Sequence, residues 1–161
     1  MTVVELGAGM STVVIARLLA ERGGTLASVE HDPTWADLIR GQLELEGLQG
    51  TAGLLSAPLE PNAESWSGAP WYSADAIASL PGAIDLLLVD GPPGSPEESA
   101  HSRYPALGAL AGRLAEDSVV ILDDADREPE REIVERWQQE LPEWQFAIDA
   151  DVGVAVGKRR A

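Results

Sequence analysis

The chain has 161 residues, of which 45% are hydrophobic, and 27 acidic against 11 basic residues give a formal net charge of −16. That length suits one domain with a real core, here taken as residues 1–161, and is short for two. No apolar run approaches the roughly 18–20 residues of a membrane span, no basic-then-apolar leader opens the chain, and the lack of cysteine excludes disulfides, thiolate metal sites and a cysteine nucleophile.

The only basic cluster, Lys158-Arg159-Arg160, lies at the C-terminus of an otherwise acidic chain that repels phosphate backbones. The expectation is a cytoplasmic protein with a small-molecule ligand and with neither nucleic acid nor membrane as partner.

In chain order, residues 2–6 (TVVEL) read as a buried strand, and Ser11 or Thr12 can cap a helix carrying Val14, Ile15, Leu18 and Leu19, which Gly23-Gly24 stops. A second strand, 25–30 (TLASVE), runs into Asp32-Pro33, a helix cap followed by a favoured first helical residue. The helix beyond it holds Trp35, Leu38, Ile39 and Leu43 and ends near Gly47. A third strand is expected around 51–57, and Glu60 to Pro81 is irregular. "IDLLLVD", 84–90, is the strongest strand signal, followed by a helix near 104–115 and the strand "SVVILDD" at 118–124. A helix from about Pro129 carries Ile133, Val134 and Trp137; "WQFAID" and "VGVAVG" then form an antiparallel hairpin across Ala150-Asp151. Trp137 and Trp144 sit at core-like spacing, and the acids of "REPEREIVER" read as a solvated helix face. This alternation predicts an α/β fold: a Rossmann-like, doubly wound, mostly parallel sheet with a C-terminal antiparallel hairpin strand.

In such sheets ligands bind beyond the C-terminal strand ends. Glu5, Glu30, Asp90 and Asp123-Asp124 all fall at predicted strand ends, which makes a site there the better reading. Gly7, Ala8 and Gly9 form a turn that lets a ligand approach the backbone. Glu30, twenty-one residues after Gly9, is placed to accept hydrogen bonds from ribose hydroxyls. NAD and S-adenosylmethionine (SAM) both fit. The dinucleotide fingerprint, however, wants Gly or Ala where Thr12 stands, and Glu5 would oppose a pyrophosphate while suiting an ammonium and a sulfonium.

On these residues the chain resembles the class I SAM-dependent methyltransferases. "VVELGAGMSTVVIARLL" looks like their first motif, "ASVEHD" like the second, "IDLLLVDGPPG" like the fourth strand, and the hairpin like the last two. "ELGAGMST" and "LLLVDGPPG" look most like small bacterial members, with further similarity to the catechol and caffeoyl-coenzyme A O-methyltransferase group. The resemblance implies SAM contacts from Glu5, Gly7, Ala8, Gly9, Ser11, Thr12, Glu30 and Asp90. Adenine contacts would come from His31, Ser56, Ala57 and Leu59.

It also implies a divalent cation (Mg²⁺, Ca²⁺ or Mn²⁺) on Asp90, Asp123 and Asp124, although Asp replaces an Asn and Pro93 stands where that group has a lysine base. The alternative is a loop cap at Asp123 or Asp124 and an Asp90 that only orients the methionine amine. Asp90 is the first candidate for a catalytic role and His101 the second, each with a non-catalytic alternative. Arg103 and Tyr104 are candidates to bind an acceptor or simply to open the next helix. Only Met1 precedes the first strand, where the class carries covering helices, so a bare surface and a homodimer are expected. The reading is a small-molecule methyltransferase acting at oxygen, with an NAD-dependent oxidoreductase domain or a non-catalytic nucleoside-binding module as alternatives.

Overall fold

The structure, a computed structural model, describes residues 1–66, 68–94 and 99–160. Five strands form the parallel part of the main sheet: β1 (Thr2–Leu6), β2 (Thr25–Glu30), β3 (Ala52–Ser56), β6 (Ile84–Val89) and β7 (Leu114–Leu122). The order is β3-β2-β1-β6-β7-β9-β8, where β8 (Trp144–Asp149) and β9 (Val154–Arg159) are the expected hairpin. β9 inserts between β7 and β8 and runs antiparallel to both.

Alternation along the strands divides the core between the two faces. Val3 joins Leu26 and the helices α1 (Met10–Arg22) and α2 (Pro33–Leu45) on one face. Val4, Leu6, Leu87, Val89, Val120 and Leu122 pack on the other with α5 (Glu128–Glu140), whose Ile133, Val134 and Trp137 are buried with Trp144.

α2 starts as expected: Asp32 Oδ1 accepts from Thr34 N (2.8 Å) and Trp35 N (3.1 Å), with Pro33 at the first position. α1 forms, but with a different face inward. Thr12, Val13, Ala16 and Leu19 are buried, whereas Val14 and Leu18 are each 48% exposed. Thr12 Oγ1 donates to Glu5 Oε2 and accepts from Gly9 N, which sets the phase of the first turn and turns Val13, not Val14, toward the sheet. On α2, Ile39 and Leu43 face inward while Leu38 and Trp35 are exposed.

The region expected to be irregular contains a small antiparallel pair, β4 (Leu59–Glu60) with β5 (Trp71–Tyr72), and the helix α3 (Ala74–Ser79). The helix expected at 104–115 is shorter: α4 (Pro105–Leu110) passes into a 3₁₀ turn, Ala111–Arg113, and β7 begins at Leu114. Gly108 and Gly112 weaken helix there. Among the described residues no helix is long and apolar enough to cross a membrane.

Candidate active site

The strand order turns back between β1 and β6, which is where an open α/β sheet leaves a crevice at its C-terminal edge. Backbone bonds carry the ladder just past the strands: Gly7 N donates to Val29 O (2.9 Å), Asp90 N to Leu6 O (2.8 Å) and Asp123 N to Val89 O (3.0 Å). Gly7 has φ +93°, and a Cβ there would lie 2.8 Å from both Asp90 C and Gly91 N. The turn therefore needs glycine for its conformation and for the close approach of the β6 end.

Beyond it, Gly9 N donates to Thr12 Oγ1 (2.9 Å) and Thr12 N to Gly9 O (3.1 Å), a reciprocal closure of the helix start. Thr12 Oγ1 and Ser28 Oγ both donate to Glu5 Oε2, at 2.5 and 2.6 Å. Glu5 is fully buried, and burial is the main cause that pushes its carboxyl above the ordinary range, against hydrogen bonds from Ser11, Ser28 and Thr12. This corrects the expectation for Glu5 and Thr12: they brace the turn from beneath instead of standing on the open rim.

Glu30, almost wholly buried at the end of β2, is held by main-chain donors. Its Oε2 accepts from Ala8 N (3.1 Å) and its Oε1 from His31 N and Asp32 N (2.8 Å each). His31 Nδ1 also lies 2.8 Å from Oε1. One carboxylate thus ties the glycine turn to the start of α2 through charge-assisted hydrogen bonds.

Gly7, Ala8, Glu30, His31, Asp90 and Gly91 line a cavity of about 400 Å³, within the range of about 300–1,000 Å³ usual for small-molecule sites. Trp35 and Tyr72 also line it, and sequence reasoning did not assign Trp35 to the site. Trp35 was expected in the core of α2; its Nε1 instead donates to Ala8 O (2.7 Å), which brings the indole over the turn. Tyr72 lies in β5, a strand too short to leave a periodic signal.

Ser56, Ala57 and Leu59 do not line this cavity. Ala57 is in the core, Ser56 is exposed, and Leu59 pairs with Tyr72 in the small sheet. Gly9 and Ser11 also lie outside the lining, at the helix start.

Asp90, Asp123 and Asp124 do converge, each offering an oxygen within 4.8 Å of the others. Burial pushes the Asp90 carboxyl up to about 6; Arg103 opposes the shift, and Asp123, Asp124 and Glu5 add to it. Asp124 has a left-handed backbone, φ +59°, which Asp tolerates better than most residues. Arg103 is buried within the cluster, where Nη2 donates to Asp90 O (2.9 Å), Asp90 Oδ1 (3.1 Å) and Asp124 Oδ2 (2.9 Å), and Nη1 to Asp123 O (3.0 Å). Glu130, expected on a solvated face, is 1% exposed and its Oε1 lies 3.6 Å from Arg103 Nη1. Arg103 is a partner for both ends of the rim, not a surface acceptor ligand.

His101 is engaged elsewhere. Its Nε2 lies 2.6 Å from Glu132 Oε2 on α5, and its ring stacks on Trp66 at 4.1 Å, so it does not line the rim cavity as a base should. A larger cavity of about 640 Å³ opens between residues 60–64, α3, α4 and the end of α5, with Trp71, Tyr72 and Trp137 in its wall. None of the three aspartates lines it, whereas Asp90 lines the smaller one.

Residues 4–125 match the family model described as a methyltransferase domain. No curated protein matches the sequence. Solved structures similar to the chain include a methyltransferase from Geobacter sulfurreducens (TM-score 0.65, 18% identity, covering 99% of this chain and 71% of that one). An O-methyltransferase from Bacillus cereus in complex with SAH gives TM-score 0.67 at 16% identity over 99% and 74% of the two chains. A third, from Streptomyces achromogenes, is an O-methyltransferase involved in tomaymycin synthesis, in complex with SAM; it gives TM-score 0.64 at 16% identity over 99% and 73%. These identities carry the fold.

Proposed function

The chain belongs to the family of methyltransferase domains, and on that premise we propose that it transfers the methyl group of SAM to an oxygen of a small-molecule acceptor, working as one unit in the cytoplasm. The observation that carries this reading is the convergence of the glycine turn, a main-chain-braced Glu30 and Asp90 on one cavity at the point where the strand order reverses. Glu30 suits the ribose hydroxyls: its position is held by three backbone donors, so little reorganisation is needed when the nucleoside arrives. Asp90 and Gly91, at the end of the neighbouring strand, would face the methionine part. Two of the similar structures are complexes with SAH and SAM, which supports the same cofactor here.

The reaction is a displacement at carbon. An acceptor oxygen lone pair forms the new O–CH₃ bond, the C–S pair returns to sulfur to give S-adenosylhomocysteine, and the acceptor proton passes to a base. Most of the rate can come from holding oxygen, methyl carbon and sulfur in line. Asp90 suits the base: with its carboxyl raised to about 6 it is ionised at neutral pH yet more basic than an exposed aspartate. Its neighbourhood of carboxylates also suits the sulfonium charge better than a pyrophosphate, which disfavours the NAD reading.

The test is transfer of labelled methyl from SAM to a panel of phenols, catechols and hydroxy acids. Label in an acid-stable O-methyl product, lost in Asp90→Asn, supports the reading. SAM binding with no product over the panel would favour the non-catalytic module instead.

A further inference from the structure

The three aspartates that the resemblance assigns to a divalent ion already surround a cation supplied by the chain. Arg103 sits where "SAHSRYP" leads into α4, and it is 4% exposed. Its Nη2 bonds a carboxylate oxygen of Asp90 and one of Asp124, and it also bonds the main-chain oxygen of Asp90; Nη1 takes the main-chain oxygen of Asp123. The second oxygen of Asp124 is taken as well, by Arg127 Nη2 at 2.8 Å. Glu130 backs the guanidinium from the start of α5.

This donor set does not fit a Mg²⁺, Mn²⁺ or Ca²⁺ ion. Such an ion takes about six or more oxygens at roughly 2.0–2.6 Å, carboxylates supplying the anionic ones and carbonyls or water the rest. Here both oxygens of Asp124 face guanidinium groups, and an ion among the aspartates would lie beside a positive charge that a protein environment cannot remove.

We propose that Arg103 is a built-in substitute for the divalent cation: its guanidinium offsets part of the charge of the acid cluster, clamps the ends of β6 and β7 together, and keeps metal out. The inference rests on the proposed function only in calling Asp90 part of the reacting site; the cation exchange itself is a property of the apoprotein. It assigns Arg103 as a positioning residue, because its hydrogen bonds hold Asp90 by both main chain and side chain while Asp90 lines the cofactor cavity. Acceptor activation then falls to the carboxylate of Asp90, with no metal-bound oxygen involved.

The experiment uses Mn²⁺ as probe, followed by the electron paramagnetic resonance signal of the free ion, with wild type, Arg103→Met, Arg103→Lys and the double variant Arg103→Met/Asp124→Asn. Circular dichroism checks the fold of each. Wild type and Arg103→Lys should leave the free-ion signal nearly unchanged. Arg103→Met should bind one equivalent roughly tenfold or more tightly than wild type, the scale expected when a unit charge is removed beside the ligands, and the double variant should lose it.

One tight Mn²⁺ in the wild type, or no gain in a folded Arg103→Met, overturns the proposal. If Arg103→Met fails to fold, Arg103→Lys and the wild type still decide: exclusion of Mn²⁺ by both supports the account, and stoichiometric binding by either refutes it. Titrating the same wild-type preparation with S-adenosylhomocysteine separates the two ideas, since absence of nucleoside binding would count against the function and leave the Mn²⁺ result standing.

Discussion

At the residue scale the chemistry turns on carboxylates placed in unequal surroundings. Glu30 accepts three main-chain N–H groups, Glu5 is sealed below the turn, and Asp90 stands half-buried between a guanidinium and two further acids. The raised pKa of Asp90 has a sign that can be worked out. Folding moves the carboxyl from an ordinary value near 3.8 up to about 6, so between those values the native state binds its proton more tightly than the unfolded chain. The stability this group contributes is complete below the lower value and is lost as pH rises through the upper one. Urea titrations of wild type and Asp90→Asn across that window should show a fall with rising pH that is smaller in the variant. Identical profiles would contradict the assignment. Glu30 was legible as a site residue because an acid at the end of a second strand, after a glycine turn, has few other reasons to recur at that spacing. Trp35 was not, and Arg103 was legible only as an acceptor ligand, because each reaches the rim through contacts with residues distant in the chain: Trp35 to Ala8, and Arg103 to Asp123 and Asp124.

At the element scale the strands were readable and the helix faces less so. A continuous apolar run such as "IDLLLVD" marks a strand buried on both sides whatever lies next to it. The phase of α1 could not be read the same way. Val13, Val14 and Ile15 offer three apolar neighbours, and the choice among them is made by the tie of Thr12 to Glu5. This yields a measurable contrast between adjacent valines. Val13→Ala removes methyls from a fully buried position and should cost about 2 kcal/mol in chemical unfolding, while Val14→Ala, at a position half open to solvent, should cost under about 0.5 kcal/mol. Equal costs would mean that α1 packs with the phase its hydrophobicity alone suggests. The short α4 has a similar lesson: two glycines and the early start of β7 end it where the apolar spacing continues.

At the scale of the whole molecule, fold and charge act together. Met10, Val14, Leu18, Leu38 and Leu45 leave apolar surface on the outer sides of α1 and α2. We propose that this surface pairs two copies of the chain. Because each copy carries a net charge of −16, repulsion opposes the pairing and salt should relieve it. Sedimentation velocity should accordingly show a dimer fraction that grows with ionic strength, and Leu18→Glu should suppress it; a monomer at every salt concentration would refute the pairing.

The proposed function requires the rim between β1, β2 and β6 to bind an adenosyl cofactor through Glu30. Calorimetric titration with SAM, S-adenosylhomocysteine and NAD, on wild type and Glu30→Ala, tests it most directly. The two adenosyl ligands should bind, NAD should not, and the variant should lose roughly tenfold or more in affinity, about 1.4 kcal/mol or greater. Binding of NAD alone, or adenosyl binding unchanged in Glu30→Ala, would contradict it.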